Sequence, residues 1–406
     1  MIRTPSLFVL MLLVPLSSGR AADPATRSFG WRRDASGRYP DAQPPTTWSI
    51  EKNLKWRVNV GASNSAPVVA GDKVLVMAEP DKLLCLERAS GRVLWQKSSG
   101  MADLPAELRP AKTPRYETSC GYTTPTPVCD GENVYVLLGN GIVASYTLAG
   151  ERNWITWLPA EPTSPYGRSS SPILAAGVLI APMSHLHGID CKTGKVLWEA
   201  KEVETAYGTP VTVELNGIAT VITPTGFAVR ASDGKVLAKD MGSLLYASPV
   251  ADGDVVYFVG PEFTAVKLSL AGEKLSVQRL FDESLDGEYI ASPVLNEGLI
   301  HTITSDAIYI VIDAKTGKQV SAPRTLELPP AGDSKPGGPT AYPSPTLAGG
   351  MLYLSNTRGE TFVIRAGKAY EEVSRNRLPA GSSASPVFAG KQLFVRGDKE
   401  LYCVEQ

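Results

Sequence analysis

Five tyrosines lie shortly before a repeated step from a small residue to proline, a pattern that suits binding better than catalysis. A tyrosine offers a broad apolar ring and one hydroxyl, so a group of them can hold a protein, peptide or glycan. Alternatively, the rings pack as wedges between neighbouring structural units and hydrogen-bond to nearby backbone. Together with Arg168, which follows the first of them, the candidate binding residues are Tyr166, Tyr207, Tyr246, Tyr289 and Tyr342.

Residues that could perform catalysis or ligate a metal are sparse. His185 and His187 are two positions apart, so they would share one face of a strand and could ligate a metal, but only His301 and no acidic cluster accompany them. The sequence contains no nucleophile elbow, no glycine-rich phosphate loop and no DxDxDG calcium loop. It therefore predicts no catalytic residues and no metal site.

The small residue and proline recur eight times, from Ala66-Pro67 to Ser385-Pro386, with successive prolines 38 to 60 residues apart. A period near ~40 residues is typical of a four-stranded unit. In the first unit, short apolar runs such as KVLVMA and LLCLER alternate with turns such as ASGR. The repeat therefore predicts eight sheets of four antiparallel strands.

The middle strands are apolar on consecutive residues, as in VLVMA and VVYFV, so both faces of each sheet must be covered. Sheets stacked as blades around an axis meet this requirement. Proline at the start of the innermost strand removes no ladder bond, because that strand has one neighbour. We expect Trp95, Trp154 and Trp198, each four residues after a turn glycine, to pack from the outer strands.

The eighth unit ends after three strands, whereas the segment NLKWRV places Trp56 ahead of the first unit. We expect this segment to complete the eighth blade, which would remove open sheet edges. The predicted fold is thus an all-β, eight-bladed propeller over residues 48–406, closed by an N-terminal strand. We expect residues 22–47 to form an irregular arm on the outer wall, and two insertions, 98–120 and 321–341, to project on the tyrosine face.

Residues 1–21 have the features of a cleaved signal peptide, since Arg3 precedes a short apolar run and Ala21 supplies a small residue for cleavage. No later segment approaches the ~20 apolar residues of a membrane helix. We therefore expect a soluble periplasmic or extracellular protein, as a monomer. Cys120 and Cys129 could form a disulfide or remain free thiols.

The charge balance argues against nucleic acid as a partner. Lysine and arginine number 40 against 41 aspartate and glutamate, and no basic run is interleaved with aromatic residues. The chain therefore lacks the positive surface that neutralises phosphates.

The ending CKTGKVLW, the small-Pro-Val opening and the strand layout resemble the PQQ-like, BamB-like β-propeller repeat family of exported bacterial proteins, from Trp48 to the C terminus. The resemblance implies a propeller whose members include BamB-type assembly lipoproteins and quinoprotein dehydrogenases. We expect a non-catalytic binding or scaffold module of the cell envelope, without a cofactor. The alternative is a PQQ-dependent oxidoreductase with PQQ and calcium at the axis, although the adjacent cysteine pair of the alcohol-oxidising branch is absent.

Overall fold

The computed structural model describes residues 29–111, 119–159, 166–205, 207–326 and 341–406. Their strands form eight separate sheets, which confirms the eight-bladed all-β propeller. We number the blades in the chain order of their innermost strands. The residues predicted as a signal peptide, and parts of both insertions, lie outside the described residues.

In blades 1 to 7 the repeat strands follow one another in chain order from the axis outwards, and blade 8 takes its outermost strand from the segment before the repeat. Two strands precede the repeat, β1 (Arg38–Tyr39) and β2 (Leu54–Asn59). Blades 1 and 2 contain β3 (Val68–Ala70), β4 (Lys73–Ala78), β5 (Lys82–Glu87), β6 (Val93–Ser98), then β7 (Val128–Cys129), β8 (Asn133–Leu137), β9 (Ile142–Thr147) and β10 (Arg152–Trp157). Blades 3 and 4 contain β11 (Ile173–Ala175), β12 (Val178–Met183), β13 (His185–Asp190), β14 (Val196–Glu204), then β15 (Val211–Leu215), β16 (Ile218–Ile222), β17 (Ala228–Arg230) and β18 (Val236–Ala238).

The second half repeats this order. Blades 5 and 6 contain β19 (Val250–Asp252), β20 (Val255–Phe258), β21 (Glu262–Ala271), β22 (Lys274–Ser284), then β23 (Val294–Asn296), β24 (Leu299–Ile303), β25 (Ile308–Asp313) and β26 (Arg324–Thr325). Blades 7 and 8 contain β27 (Thr346–Ala348), β28 (Met351–Ser355), β29 (Glu360–Arg365), β30 (Glu372–Arg377), then β31 (Val387–Ala389), β32 (Gln392–Arg396) and β33 (Glu400–Glu405). Two short 3-10 helices, Met101–Asp103 and Ala106–Leu108, lie between blades 1 and 2. Across the described ranges, no helix is long and apolar enough to cross a membrane.

The two ends of the propeller sequence meet in blade 8. Strand β2 pairs antiparallel with β33, with Trp56 opposite Cys403 and Arg57 opposite Tyr402. The innermost strands of blades 1 and 8, β3 and β31, also contact each other. The ring is therefore continuous across the junction between the last blade and the first.

Tryptophans of the outer strands pack against the next blade. Trp56 covers Gly91 of blade 1 and donates its Nε1–H to the carbonyl of Arg88 at 3.0 Å. Gly91 has a φ of +73°, which favours glycine, and a Cβ there would lie 2.7 Å from the indole ring. The backbone conformation and the lack of space therefore both require glycine at this position. The same contact is made by Trp95 on Gly150, Trp154 on Gly194 and Trp198 on Gly234. These rings tie one blade to the next.

The apolar core lies between the blades rather than inside any one of them. One cluster joins Val213 and Ile222 of blade 4 to Val256 and Phe258 of blade 5. Each sheet thus buries both faces against its neighbours, which is why its middle strands are apolar on consecutive residues.

The N-terminal arm crosses the axial channel, so the expectation that it lies on the outer wall is wrong. Phe29 exchanges two backbone hydrogen bonds with Cys129, at the end of β7 in blade 2. Strand β1 then pairs in parallel with β27 of blade 7, with Arg38 opposite Leu347. Both contacts use the ends of innermost strands that lie away from the repeat prolines. The arm therefore covers that end of the channel.

Arg32 anchors the arm at the axis. Its Nη2 donates to the carbonyl oxygens of Pro293 and Pro345, two of the repeat prolines, at 2.8 and 2.7 Å, and the side chain is buried. Burial lowers the pKa of Arg32 to about 10. A side chain at Gly37 would overlap the guanidinium group, which explains the glycine there. Strand periodicity could not reveal this anchor, because a single side chain binds backbone that is distant in sequence.

Candidate binding site at the channel mouth

A belt of hydroxyl groups surrounds the axis where the innermost strands begin. From blade 1 to blade 7, the residue before the repeat proline donates its backbone N–H to the hydroxyl of the matching residue in the next blade, over 2.8–3.1 Å. These N–H groups are buried, and an unpaired one would destabilise the fold. We call the accepting residues the hydroxyl belt: Thr126, Ser171, Thr209, Ser248, Ser292, Ser344 and Ser385.

The belt has a gap between blades 8 and 1. Ser385 is its last acceptor, and the next position around the ring is Ala66, which has no hydroxyl. Ala66 still donates its own backbone N–H to Thr126. The sequence interpretation grouped these positions only as small residues and missed the belt. Serine or threonine at the other seven positions was the available signal.

A cavity of about 580 Å³ opens at the belt, on the face where the chain passes from blade to blade. The belt residues line it, and Trp31 of the N-terminal arm lines it from the channel. Asn64, Ser169 and Ser383 add further polar side chains. Because the arm occupies the channel, the cavity has a floor. Sequence reasoning missed Trp31, since it assigned the arm to the outer wall.

Four of the six predicted binding residues line this cavity. The ring centroids of Tyr166 and Tyr207 are 6.1 Å apart, and those of Tyr207 and Tyr246 are 5.3 Å apart, with the planes inclined by 51° and 33°. Tyr342 also lines the cavity. Tyr166 is 56% exposed and Tyr342 is 37% exposed, so packing between blades leaves part of each side chain accessible. The four rings, which we call the tyrosine wall, leave aromatic surface open to a partner.

The other two predicted residues lie away from the cavity lining. Tyr289 is buried, and its hydroxyl donates to the carbonyl of Asp286 at 3.1 Å, while burial raises its pKa to about 12. Arg168 is also buried, and its Nη2 donates to Ser184 Oγ at 2.7 Å. Both side chains make intramolecular contacts of the kind expected of packing residues.

Glu288 provides the negative charge at the mouth, and sequence reasoning missed it. It neighbours the buried Tyr289, but its own side chain is exposed and lines the cavity. Partial burial raises the pKa values of Tyr246 and Tyr342, and the nearby carboxylate of Glu288 raises both further. Among the described residues, the mouth therefore combines aromatic rings with one acidic group.

The histidines and cysteines do not form a second site. His187 is buried and its Nδ1 hydrogen-bonds to the carbonyl of His185 at 3.0 Å, while His301 Nδ1 pairs with the Tyr309 hydroxyl at 2.7 Å. Across the described residues no group of three or more histidine, cysteine, aspartate or glutamate residues is placed to hold a metal. All five cysteines are free thiols, so the open question of a Cys120–Cys129 disulfide is answered in favour of free thiols.

The cavity lining does not fit PQQ with calcium. PQQ carries several carboxylates, which lysine or arginine side chains would have to neutralise, and calcium binds several carboxylate or carbonyl oxygens. Among the described lining residues, Glu288 is the single carboxylate and no lysine or arginine side chain is present. The described lining therefore lacks both the cationic side chains that PQQ would need and the set of oxygen ligands that calcium would need.

Known proteins share this fold at low sequence identity. BamB from Moraxella catarrhalis superposes with a TM-score of 0.61 at 10% identity, over 87% of this chain and 99% of its own. A europium-containing methanol dehydrogenase gives 0.62 at 12% identity, over 92% and 97%. Sqt1 of Saccharomyces cerevisiae gives 0.61 at 9% identity, over 87% and 99%. No curated protein matches the chain. These likenesses establish the architecture alone.

The family is established from the sequence match. The family model described as the outer membrane protein assembly factor BamB matches residues 20–274. Because this match covers more than half of its residues, the chain belongs to the BamB-like propeller family.

Proposed function

We propose that this protein is a non-catalytic binding module of the cell envelope, which holds a protein, peptide or glycan partner at the mouth of its axial cavity. The observation that carries the proposal is the tyrosine wall beside a cavity of about 580 Å³ that the N-terminal arm closes at its inner end. Exposed tyrosine rings around a concave site are typical of binding surfaces, because they supply contact area at a small entropic cost.

Two further observations support a binding role. The described lining offers no acid–base pair or activated nucleophile, since Glu288 is its single carboxylate and no histidine lines it. The family is described by an assembly factor, and assembly is a task performed by binding. Export through a cleaved signal peptide at residues 1–21 is part of the same proposal.

Capture of partners from the cell envelope tests the proposal. Purified protein should retain a partner that the double variant Tyr207→Ala/Tyr246→Ala loses, because the two rings form the centre of the tyrosine wall. Leu197→Ala is a matched control, since Leu197 is 52% exposed on the outer strand of blade 3. Capture should be unchanged in that control.

The wedge hypothesis for the tyrosines gives a different result. If the rings serve mainly to hold blades together, the double variant should unfold at a clearly lower temperature, and partner capture should fall only through loss of folded protein. An unchanged melting temperature with lost capture supports the proposal. Undiminished capture by the double variant would refute it.

A further inference from the structure

The mouth of the cavity has an electrostatic character that narrows the class of partner. Glu288 is exposed there, and no lysine, arginine or histidine of the described residues forms an ion pair with it. Its backbone is held in place, because its carbonyl accepts the N–H of Ser305 at 2.8 Å. A positioned carboxylate that pairs with no described cation favours a ligand that brings a positive charge.

The tyrosine wall favours the same kind of ligand. The face of a tyrosine ring is negative, so inclined rings around one point attract a cation more strongly than a neutral group. Neighbouring ring planes are inclined by 51° and 33°, so the rings do not form one flat platform. Tyr166, Tyr246, Tyr342 and Glu288 all line the one cavity, so these groups surround a shared space.

The charge distribution along the axis favours a positively charged ligand group at the mouth of the cavity over one at its inner end, where the N-terminal arm lies. Arg32 lies in the channel and donates to the carbonyls of Pro293 and Pro345, directly after the belt residues Ser292 and Ser344. Its positive charge disfavours a second cation deep in the cavity. A positive group is therefore best placed between the rings and Glu288.

We infer that Tyr166, Tyr207, Tyr246, Tyr342 and Glu288 form a cage for a cationic group, an ammonium or guanidinium that a protein or peptide partner presents as a lysine or arginine side chain. This inference rests on the proposed function and specifies the partner's chemistry. The tyrosine rings and the carboxylate together compensate for the hydration that the cation loses on binding.

Pairs of probes of equal shape and different charge test the cage. Binding is measured by ligand-observed NMR for choline against its neutral isostere 3,3-dimethylbutan-1-ol, and for Nα-acetyl-lysine methylamide against the Nα-acetyl methylamide of 2-aminoheptanoic acid, in which a methyl group replaces the ammonium. The cationic member of each pair should bind and the neutral member should bind at least about tenfold more weakly. Binding of choline but of neither the lysine amide nor Nα-acetyl-arginine methylamide would overturn the assignment to a side chain. Equal binding within pairs, or no binding by any probe, would overturn the cage itself.

Variants at two exposed glutamates, one on each side of β23, distinguish the effect of the charge at the mouth from a general effect of losing a surface carboxylate. Glu288→Gln should weaken binding of the lysine amide about three- to tenfold. Glu297→Gln is the control, because Glu297 is also exposed but lies at the turn between β23 and β24, away from the mouth. Tyr246→Leu should weaken cation binding, whereas Tyr246→Phe, which keeps the ring, should retain most of it.

The same variants distinguish failure of the cage from failure of the proposed function. If Glu288→Gln captures the envelope partner as well as the unmodified protein while Tyr207→Ala/Tyr246→Ala does not, the mouth binds a partner but the cage is wrong. If neither change affects capture, both proposals fail. The expected result is reduced capture by both variants and normal capture by Glu297→Gln.

Discussion

The backbone N–H of Ser171 donates to the Oγ1 of Thr209 at 3.0 Å, across the boundary between blades 3 and 4. The two residues occupy the same position in successive repeats, immediately before the repeat proline. Proline leaves the innermost edge without a donor at its own position, and the preceding N–H is satisfied from the next blade. The hydroxyl belt therefore links neighbouring blades at the axis. Between blades 3 and 4 it is joined by the hydroxyls of Ser169 and Ser170, which donate to the carbonyls of Tyr207 and Gly208.

Removing one belt hydroxyl should destabilise the propeller. Thr209→Val keeps the side-chain shape but leaves the buried N–H of Ser171 without its acceptor, at an expected cost of about 1–3 kcal/mol in the free energy of unfolding. Urea denaturation measures this cost. Thr212→Val, at an exposed position of β15, is the control. Equal stability of the two variants would show that the belt bond contributes nothing.

Filling the gap in the belt should have the opposite effect. Ala66→Ser places a hydroxyl where Ser385 can donate its backbone N–H, and Ala66 lines the cavity, so space for the oxygen exists. We expect a gain of about 0.5–1.5 kcal/mol, the net value of one buried hydrogen bond. The midpoint of urea denaturation reports it, and a lower midpoint than that of the unmodified protein would contradict the prediction.

Loss of the arm's anchor should weaken the whole domain. Arg32→Met preserves length but leaves the carbonyls of Pro293 and Pro345 without their donor, which should cost about 2 kcal/mol. Arg38→Met changes a charged residue of the same arm that is only half-buried, and serves as the control. Thermal and urea denaturation compare the two. The anchoring role is wrong if Arg32→Met is as stable as Arg38→Met.

Acid should destabilise the protein partly through His301. Burial lowers its pKa from 6.5 to about 4, so between these values the unfolded chain binds a proton that the native protein does not. Stability is therefore fully present above about pH 6.5 and falls as the pH is lowered towards about 4, by an amount on the order of 3 kcal/mol. His301→Gln, which can still hydrogen-bond to Tyr309, should lose less stability between about pH 7 and pH 4.5. Equal losses in variant and unmodified protein would exclude this contribution.

The blade architecture could be predicted because each blade repeats local signals. The turn at Gly91 and the ring of Trp56 lie in segments whose period and composition recur, and the same pair appears again as Trp95 and Gly150. Consecutive apolar residues in the middle strands indicate burial on both faces, and this signal is present in the sequence itself.

The channel and its floor could not be predicted, because they depend on single contacts between distant segments. Arg32 meets two prolines that lie 261 and 313 residues away in sequence, and no periodicity marks that encounter. The tyrosines were recognised as a group, yet their spacing from the proline did not separate Tyr289, which turns into the protein, from Glu288 beside it, which turns outward. A shift of one residue in an irregular loop decides which side chain reaches the cavity.

Photocrosslinking at the cavity mouth tests the proposed binding site most directly. Replacing Tyr246 by the photoreactive residue p-benzoyl-phenylalanine and irradiating the cell envelope should yield a covalent adduct with a partner, whereas the same residue in place of Leu197 on the outer strand should yield none. Adducts formed from position 197 but not from position 246 would place the partner on the outer wall and contradict binding at the tyrosine wall.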